Sequence, residues 1–315
     1  MTVTADAHAL PAVLNACPPG DCVPDGTGCD PDQECNPVAP PDAGFMWFDI
    51  TRKCQLNCVH CYNESGPTGT HGTMSRAHWF SLMDEAVRSG TRGIQIIGGE
   101  PTMHPDFAEL VTHARKIGLA VEVFSNLVTI RDDWWDMFKR ESVTLATSYY
   151  SDRSAEHNAI TKRKSHSRTR ANIQRAAESG IPLRVGIIAA DDSQRVEEAR
   201  REVEALGATS VCVDRVREFG RGANGQEPDT ANLCGRCGVG RASIGPDGTV
   251  SPCVFSTWLR VGNVQEEGLA AILSGAAMAE AVATIQKTAV RGKGDCAPNT
   301  ECTPGTPPTS CSPRN

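Results

Sequence analysis

The run ITRKCQLNCVHCYNESG, residues 50–66, decides how the rest of the chain is read. Cys54, Cys58 and Cys61 stand at the spacing C-x3-C-x2-C, directly after the apolar stretch from Phe45 to Ile50, which reads as a strand. Three thiols in one short loop at a strand end point to metal ligation. A zinc knuckle would normally add a nearby fourth ligand, for which His60 is the candidate, and has no need of a preceding strand.

Working outward, strand and helix patterns alternate. A helix from about 75 to 88, with Ser75 as N-cap, precedes a strand at 93–97. Further helices are expected near 105–117, 131–140, 166–179 and 192–206, and further strands at 119–124, 142–148, 182–189 and 209–214. Gly90, Gly118, Gly180 and Gly207 follow helices, where a left-handed cap favours glycine. Short Val/Ile-rich strands separated by helices argue for parallel pairing. Six such units fit either a partial (β/α)6 TIM-like barrel or an open doubly wound sheet, and periodicity does not choose between them. In both, functional loops follow the C-terminal ends of strands, where the cysteine loop, Gly98-Gly99-Glu100-Pro101 and Ser125-Asn126 all fall.

Composition narrows the class. The 315 residues carry a net charge of −7, and residues 1–44 hold seven acidic residues with no Lys or Arg. No broad basic face supports nucleic-acid binding. The one basic cluster, Lys162, Arg163, Lys164, Arg168 and Arg170, is either a solvated loop or a patch for an acidic segment. With no long apolar run and no secretory signal, the expectation is a cytoplasmic protein with no membrane partner. Fourteen cysteines are many for such a protein. They gather at 17–35 (Cys17, Cys22, Cys29, Cys35), 54–61, 234–253 (Cys234, Cys237, Cys253) and 296–311 (Cys296, Cys302, Cys311). The regular α/β region between is almost free of them, so metal ligation fits better than a disulfide framework. Residues 1–44, rich in Pro, Gly, Asp and Cys, are expected to be an irregular segment, followed by a barrel at 45–220 and a cysteine-rich module at 221–315.

The cysteine triplet, a GGEP tetrapeptide one strand later and Ser125-Asn126 after the next strand together resemble the radical SAM superfamily over about residues 45–217. The resemblance implies a 4Fe-4S cluster held by Cys54, Cys58 and Cys61. The cluster's remaining iron would bind S-adenosylmethionine (SAM), whose reductive cleavage gives a 5'-deoxyadenosyl radical. It further implies SAM contacts from Tyr62, Gly98, Gly99, Glu100, Pro101, Ser125, Asn126, Ser148, Gly186 and Ile188, and a reductant such as flavodoxin or ferredoxin.

The segment CGVGRASIGPDGTVSPCVF, residues 237–255, resembles the opening of SPASM or twitch extensions, which carry auxiliary iron-sulfur clusters. Gly245-Pro246-Asp247-Gly248 reads as a hairpin turn that brings Cys237 and Cys253 together. A helix is expected at about 266–286. At least one auxiliary cluster is expected, on Cys237 and Cys253, with Cys234, Cys296, Cys302 and Cys311 as candidates for the remaining ligands. The extension favours a ribosomally made peptide as substrate, crosslinked or epimerised. The lack of a recognisable leader-binding domain before the barrel weighs toward a small sugar or nucleoside instead. An iron-sulfur carrier or zinc module without catalysis is the reading from another class. Cys212 reads as a buried strand thiol, with a hydrogen-atom donor as the sharper alternative. Glu122, Tyr149, Tyr150, Asp214 and Arg217 are candidates to face the barrel interior.

Overall fold

A computed structural model describes residues 44–191 and 193–289. Six strands, β1 (Gly44–Asp49), β2 (Thr91–Ile97), β3 (Ala120–Phe124), β4 (Thr144–Tyr149), β5 (Leu183–Ala189) and β6 (Ser210–Arg215), pair in parallel and in sequential order. Between them run α1 (Arg76–Arg88), α2 (Phe107–Lys116), α3 (Asp132–Arg140), α4 (Ser154–Thr161), α5 (His166–Glu178) and α6 (Val196–Ala205).

Side-chain alternation along the strands shows why this is an open barrel and not a doubly wound sheet. Met46, Phe48, Ile94, Ile96, Val121, Val123, Leu145, Leu183 and Val185 share one core with Trp79 of α1, Leu110 of α2, Phe138 of α3, Ile173 of α5 and Val203 of α6. All of these helices therefore cover one face. The other strand residues, among them Trp47, Ile97, Phe124 and Ala146, form a second apolar cluster on the inner face. On α1, Trp79, Leu82, Met83 and Ala86 fall on one stripe; full burial of a side chain such as Leu82 contributes about 1.5–3 kcal/mol. Ser75 caps α1 as expected, accepting from the His78 amide at 3.2 Å.

The C-terminal cysteine region continues this sheet. β7 (Arg241–Ile244) pairs in parallel with the free side of β1, and β8 (Thr249–Ser251) and β9 (Gly262–Asn263) follow antiparallel, giving a nine-stranded sheet. The turn at 245–248 joins β7 and β8 where the hairpin was expected. Strand pairing over so long a sequence separation leaves no local signal.

Several expectations change. The 266–286 helix is two, α7 (Leu269–Ser274) and α8 (Ala276–Thr288), because Gly275 ends one and caps the next in extended geometry. α4 carried no clear apolar stripe and was not expected. α6 begins at Val196, four residues later than the pattern at 192 implied. Cys212 is half-buried, not buried, because β6 is the last strand of the sheet. Tyr149 faces the helices and not the barrel interior: its hydroxyl meets His166 Nε2 and Glu202 Oε2, each at 2.8 Å. The four glycines after helices, Gly90, Gly118, Gly180 and Gly207, do take positive φ. Cys17, Cys22, Cys29, Cys35, Cys296, Cys302 and Cys311 lie outside the described residues.

Candidate active site

Cys54, Cys58 and Cys61 are all buried beyond the C-terminal ends of the strands, in a pocket shared with Ser65, Gly99, Asn126, Ser148, Tyr150, His157 and Arg221. Three neighbours grip their loop through its backbone. The end of α4 accepts from Asn57 N (Thr161 O, 3.1 Å) and Val59 N (Ile160 O, 3.0 Å), using carbonyls that a helix terminus leaves unpaired. The GGEP loop donates Gly99 N to Thr51 O (2.7 Å) and Glu100 N to Lys53 O (2.9 Å). A Cβ on Gly99 would lie 2.5 Å from Lys53 O, so only glycine permits this approach. Arg221, after β6, donates Nε to Cys58 O (2.7 Å), Nη2 to Ser65 O (2.8 Å) and its amide to Cys61 O (3.0 Å). Gly220 precedes it at φ +52, and a Cβ there would meet Tyr62 O at 2.3 Å.

Sequence reasoning missed Arg221 and α4. The only local hint was Phe219-Gly220-Arg221-Gly222, where two glycines flank one cation.

Glu100 joins the second and third loops. Its fully buried carboxylate accepts from Ser125 Oγ (2.8 Å), Asn126 N (2.8 Å), Thr102 Oγ1 (2.6 Å) and Thr102 N (3.2 Å). Burial nonetheless pushes its pKa above the usual carboxylate value, against these bonds. Asn126 pairs in turn with Gln55, accepting from its Nε2 at 3.1 Å, and reaches Cys54 Sγ from Nδ2 at 3.6 Å. Pro101 opens a short 3-10 helix, Pro101–Met103.

Burial also pushes all three thiols up, Cys58 to about 12, with the Arg221 cation opposing the shift at Cys58 and Cys61. Thiols in such a pocket ionise when a metal cation compensates the charge. Ser65 Oγ, buried in the same pocket, has no hydrogen-bond partner within the protein. Among the described residues no group of three or more His, Cys, Asp or Glu side chains has the spacing to hold one metal ion. A cluster asks for a different spacing, because each thiolate takes its own iron. The donor set fits a group with three separate iron corners.

The remaining expected residues sit around this centre. Ser148 and Gly186 are register partners on β4 and β5, Gly186 is also paired with Cys212 of β6, and Ile188 lies on the same inner face of β5. Tyr62 lines a larger cavity of about 990 Å³, with its ring 5.0 Å from Phe255. Arg221 lines both that cavity and the cysteine pocket. Tyr150 lines the cysteine pocket, whereas Glu122 is committed to the barrel floor, bound by Arg184 (2.7 Å) and Gln95. Asp214 and Arg217 pair at 3.0 Å. Of the basic cluster, Arg170 binds Glu202 at 2.6 Å, while Lys162, Arg163, Lys164 and Arg168 are exposed.

Cys234, Cys237 and Cys253 form a second thiol group beside Trp47, Arg217 and Arg241. Cys237 donates to Cys253 Sγ at 3.1 Å. The neighbouring Cys237 thiol and, more weakly, the Arg241 and Arg217 cations hold the Cys234 thiol below its ordinary value, against burial.

Comparison with known proteins follows the same division. The radical SAM superfamily matches residues 48–209, and SPASM, an iron-sulfur cluster-binding domain, matches residues 234–303. The antilisterial bacteriocin subtilosin biosynthesis protein AlbA of Bacillus subtilis (strain 168) is 28% identical over 179 residues, covering 56% of this chain and 40% of AlbA. The PqqA peptide cyclase of Xanthomonas campestris pv. campestris (strain B100) is 28% identical over 189 residues, covering 59% of this chain and 50% of the cyclase. The chain thus spans half or less of these relatives. Streptococcus suis SuiB, bound to its precursor peptide SuiA, superposes with a TM-score of 0.64 at 15% identity, covering 77% of this chain and 66% of SuiB. No helix among the described residues is long and apolar enough to cross a membrane.

Proposed function

The chain belongs to the radical SAM superfamily, and on that premise we propose that it modifies a ribosomally made peptide, beginning with abstraction of a hydrogen atom from carbon. A 4Fe-4S cluster and SAM together supply the one-electron chemistry, a 5'-deoxyadenosyl radical formed by reductive cleavage. Cys54, Cys58 and Cys61 hold the cluster. Gly98 to Pro101, Ser125, Asn126, Ser148, Gly186, Ile188 and Tyr62 surround the SAM position. Glu100 acts by bolting two of those loops together, and burial of the pocket excludes water from the reacting carbon. Cys234, Cys237 and Cys253 contribute ligands to an auxiliary cluster.

The observation that carries the peptide reading is the 990 Å³ cavity. It opens beside the cysteine loop and extends to the C-terminal strands, with aromatic rings (Phe219, Phe255, Trp258), cations (Arg52, Arg260) and anions (Glu64, Glu227) on its wall. Its volume lies at the top of the range for small-molecule sites, and the run of its mixed aromatic and charged lining from the cysteine loop to the C-terminal strands supports several consecutive residues of a peptide. A flavodoxin or ferredoxin in the cytoplasm is the proposed electron source.

The test is anaerobic incubation of the reconstituted protein with SAM, reductant and a deuterated peptide encoded beside its gene. Deuterium is expected in 5'-deoxyadenosine, with net loss of two hydrogens from the peptide, the deuterium among them, for a crosslink, and exchange of that deuterium for one protium without further hydrogen loss for an epimerisation. Cleavage of SAM without transfer from any such peptide would overturn the peptide reading in favour of a small molecule.

A further inference from the structure

The pocket around Cys234, Cys237 and Cys253 contains two nitrogen donors that the protein itself leaves without acceptors. Trp47, on the inner face of β1, is 4% exposed and lines this pocket, and its Nε1–H has no hydrogen-bond acceptor. Arg217 lines it too. Its Nη2 is held by Asp214 at 3.0 and 3.1 Å, while its buried Nε–H has no acceptor. Buried N–H groups are almost always paired, so two orphans beside three thiols require a physical account.

Packing alone does not explain the indole. The ring of Trp47 makes an edge contact with Phe45 at 5.1 Å, which a phenyl ring could equally make. Trp79 and Trp135 also carry unpaired buried indole nitrogens, but both lie in the helix-side core, away from any cysteine. Trp47 differs because what it faces is a set of ligands.

We propose that Trp47 and Arg217 are hydrogen-bond donors to the sulfur atoms of the iron-sulfur cluster held at Cys234, Cys237 and Cys253, and that they hold its reduction potential up. Hydrogen bonds to cluster sulfurs and nearby positive charge both stabilise the more negative, reduced state. Arg217 supplies both effects and Trp47 only the first. The inference rests on the auxiliary-cluster part of the functional proposal but not on the identity of the substrate.

The test uses the full chain with Cys54, Cys58 and Cys61 replaced by Ala, so that the barrel cluster gives no signal, and follows the remaining cluster by EPR during a potentiometric titration. Trp47→Phe should keep its iron and lower the reduced-to-oxidised ratio at the wild-type midpoint about threefold. Arg217→Met should lower it about tenfold, equivalent to 59 mV for one electron, and Arg217→Lys should fall between. Trp79→Phe should leave the midpoint where it was. Iron-loaded Trp47→Phe and Arg217→Met with unchanged midpoints would overturn the proposal. An independent arm needs no variant at these positions: with 15N-indole-labelled tryptophan, the reduced cluster should show a nitrogen hyperfine coupling, and its absence would refute the Trp47 contact. A peptide that is never modified would sink the substrate reading and leave these midpoints untouched.

Discussion

Replacing Arg221 by Ala should loosen the cysteine loop. The side chain gives two charge-assisted hydrogen bonds, to Cys58 O at 2.7 Å and Ser65 O at 2.8 Å. Such bonds contribute about 1.5–3 kcal/mol each, so about 3–6 kcal/mol is the upper bound for the pair. Arg221 is half-buried, and water replaces part of what is lost, which leaves about 2–4 kcal/mol. The opening equilibrium of the loop should then rise roughly 30- to 900-fold. Amide hydrogen exchange on the metal-free protein reads this directly at Cys54, Asn57, Val59 and Gly66, whose N–H groups are bonded at 3.0, 3.1, 3.0 and 3.2 Å. Amides of α1 serve as the unaffected reference. Arg221→Lys, which can keep one bond, should show about half the effect in free energy. Loop amides that exchange at the wild-type rate in Arg221→Ala would show that α4 and the GGEP loop hold the cysteines by themselves, and the role given to Arg221 would be wrong.

Four other outcomes are expected. The Cys54, Cys58 and Cys61 to Ala variant should lose about four irons and all 5'-deoxyadenosine formation; SAM cleavage that persists would contradict the site. Cys237→Ala and Cys253→Ala should each lose auxiliary iron while uncoupled SAM cleavage survives, checked by iron analysis and chromatography. Glu100→Gln puts an amide nitrogen against donors that now meet a carboxylate oxygen, and should destabilise by about 2–4 kcal/mol in urea unfolding; a change below about 0.5 kcal/mol would remove the Glu100 bolt from the account. Burial pulls His104 down to about 4, and its Nδ1 accepts from Asp106 N at 3.1 Å. The unfolded chain binds that proton near the ordinary histidine value of 6.5, so His104 contributes stability above that pH and loses it as pH falls from 6.5 toward 4. Urea midpoints at pH 7.5 and 5 should show this slope flattened in His104→Gln, and an unchanged slope would refute it.

The chemistry of the site was legible from residue 54 onward because it is written in local spacing. C-x3-C-x2-C, Gly98-Gly99-Glu100-Pro101 and Ser125-Asn126 each occupy a few consecutive residues at a strand end, and strand-helix alternation places strand ends without reference to the rest of the chain. The helix caps at Gly90, Gly118, Gly180 and Gly207 were legible for the same reason, since a left-handed residue is a local requirement. Element boundaries drifted where the pattern was weak, as at α6, and α4 was missed although it holds the cysteine loop through two backbone carbonyls, which any residue could supply.

Tertiary structure alone decided the rest. Sequential strand order with α1, α2, α3, α5 and α6 on one face distinguishes the open barrel from a doubly wound sheet, and both have the same periodicity. Only the fold brings β7 against β1 across nearly two hundred residues, which sets Trp47 beside Cys237 and Cys253. Only the fold shows that Glu100 spends its carboxylate on Ser125, Asn126 and Thr102, that Tyr149 turns outward to Glu202, and that Arg221 reaches back to Cys58. In each case the side chain's role depends on which distant group reaches it first, and a hydrogen bond or ion pair acts over about 3 Å of space whatever the separation along the chain.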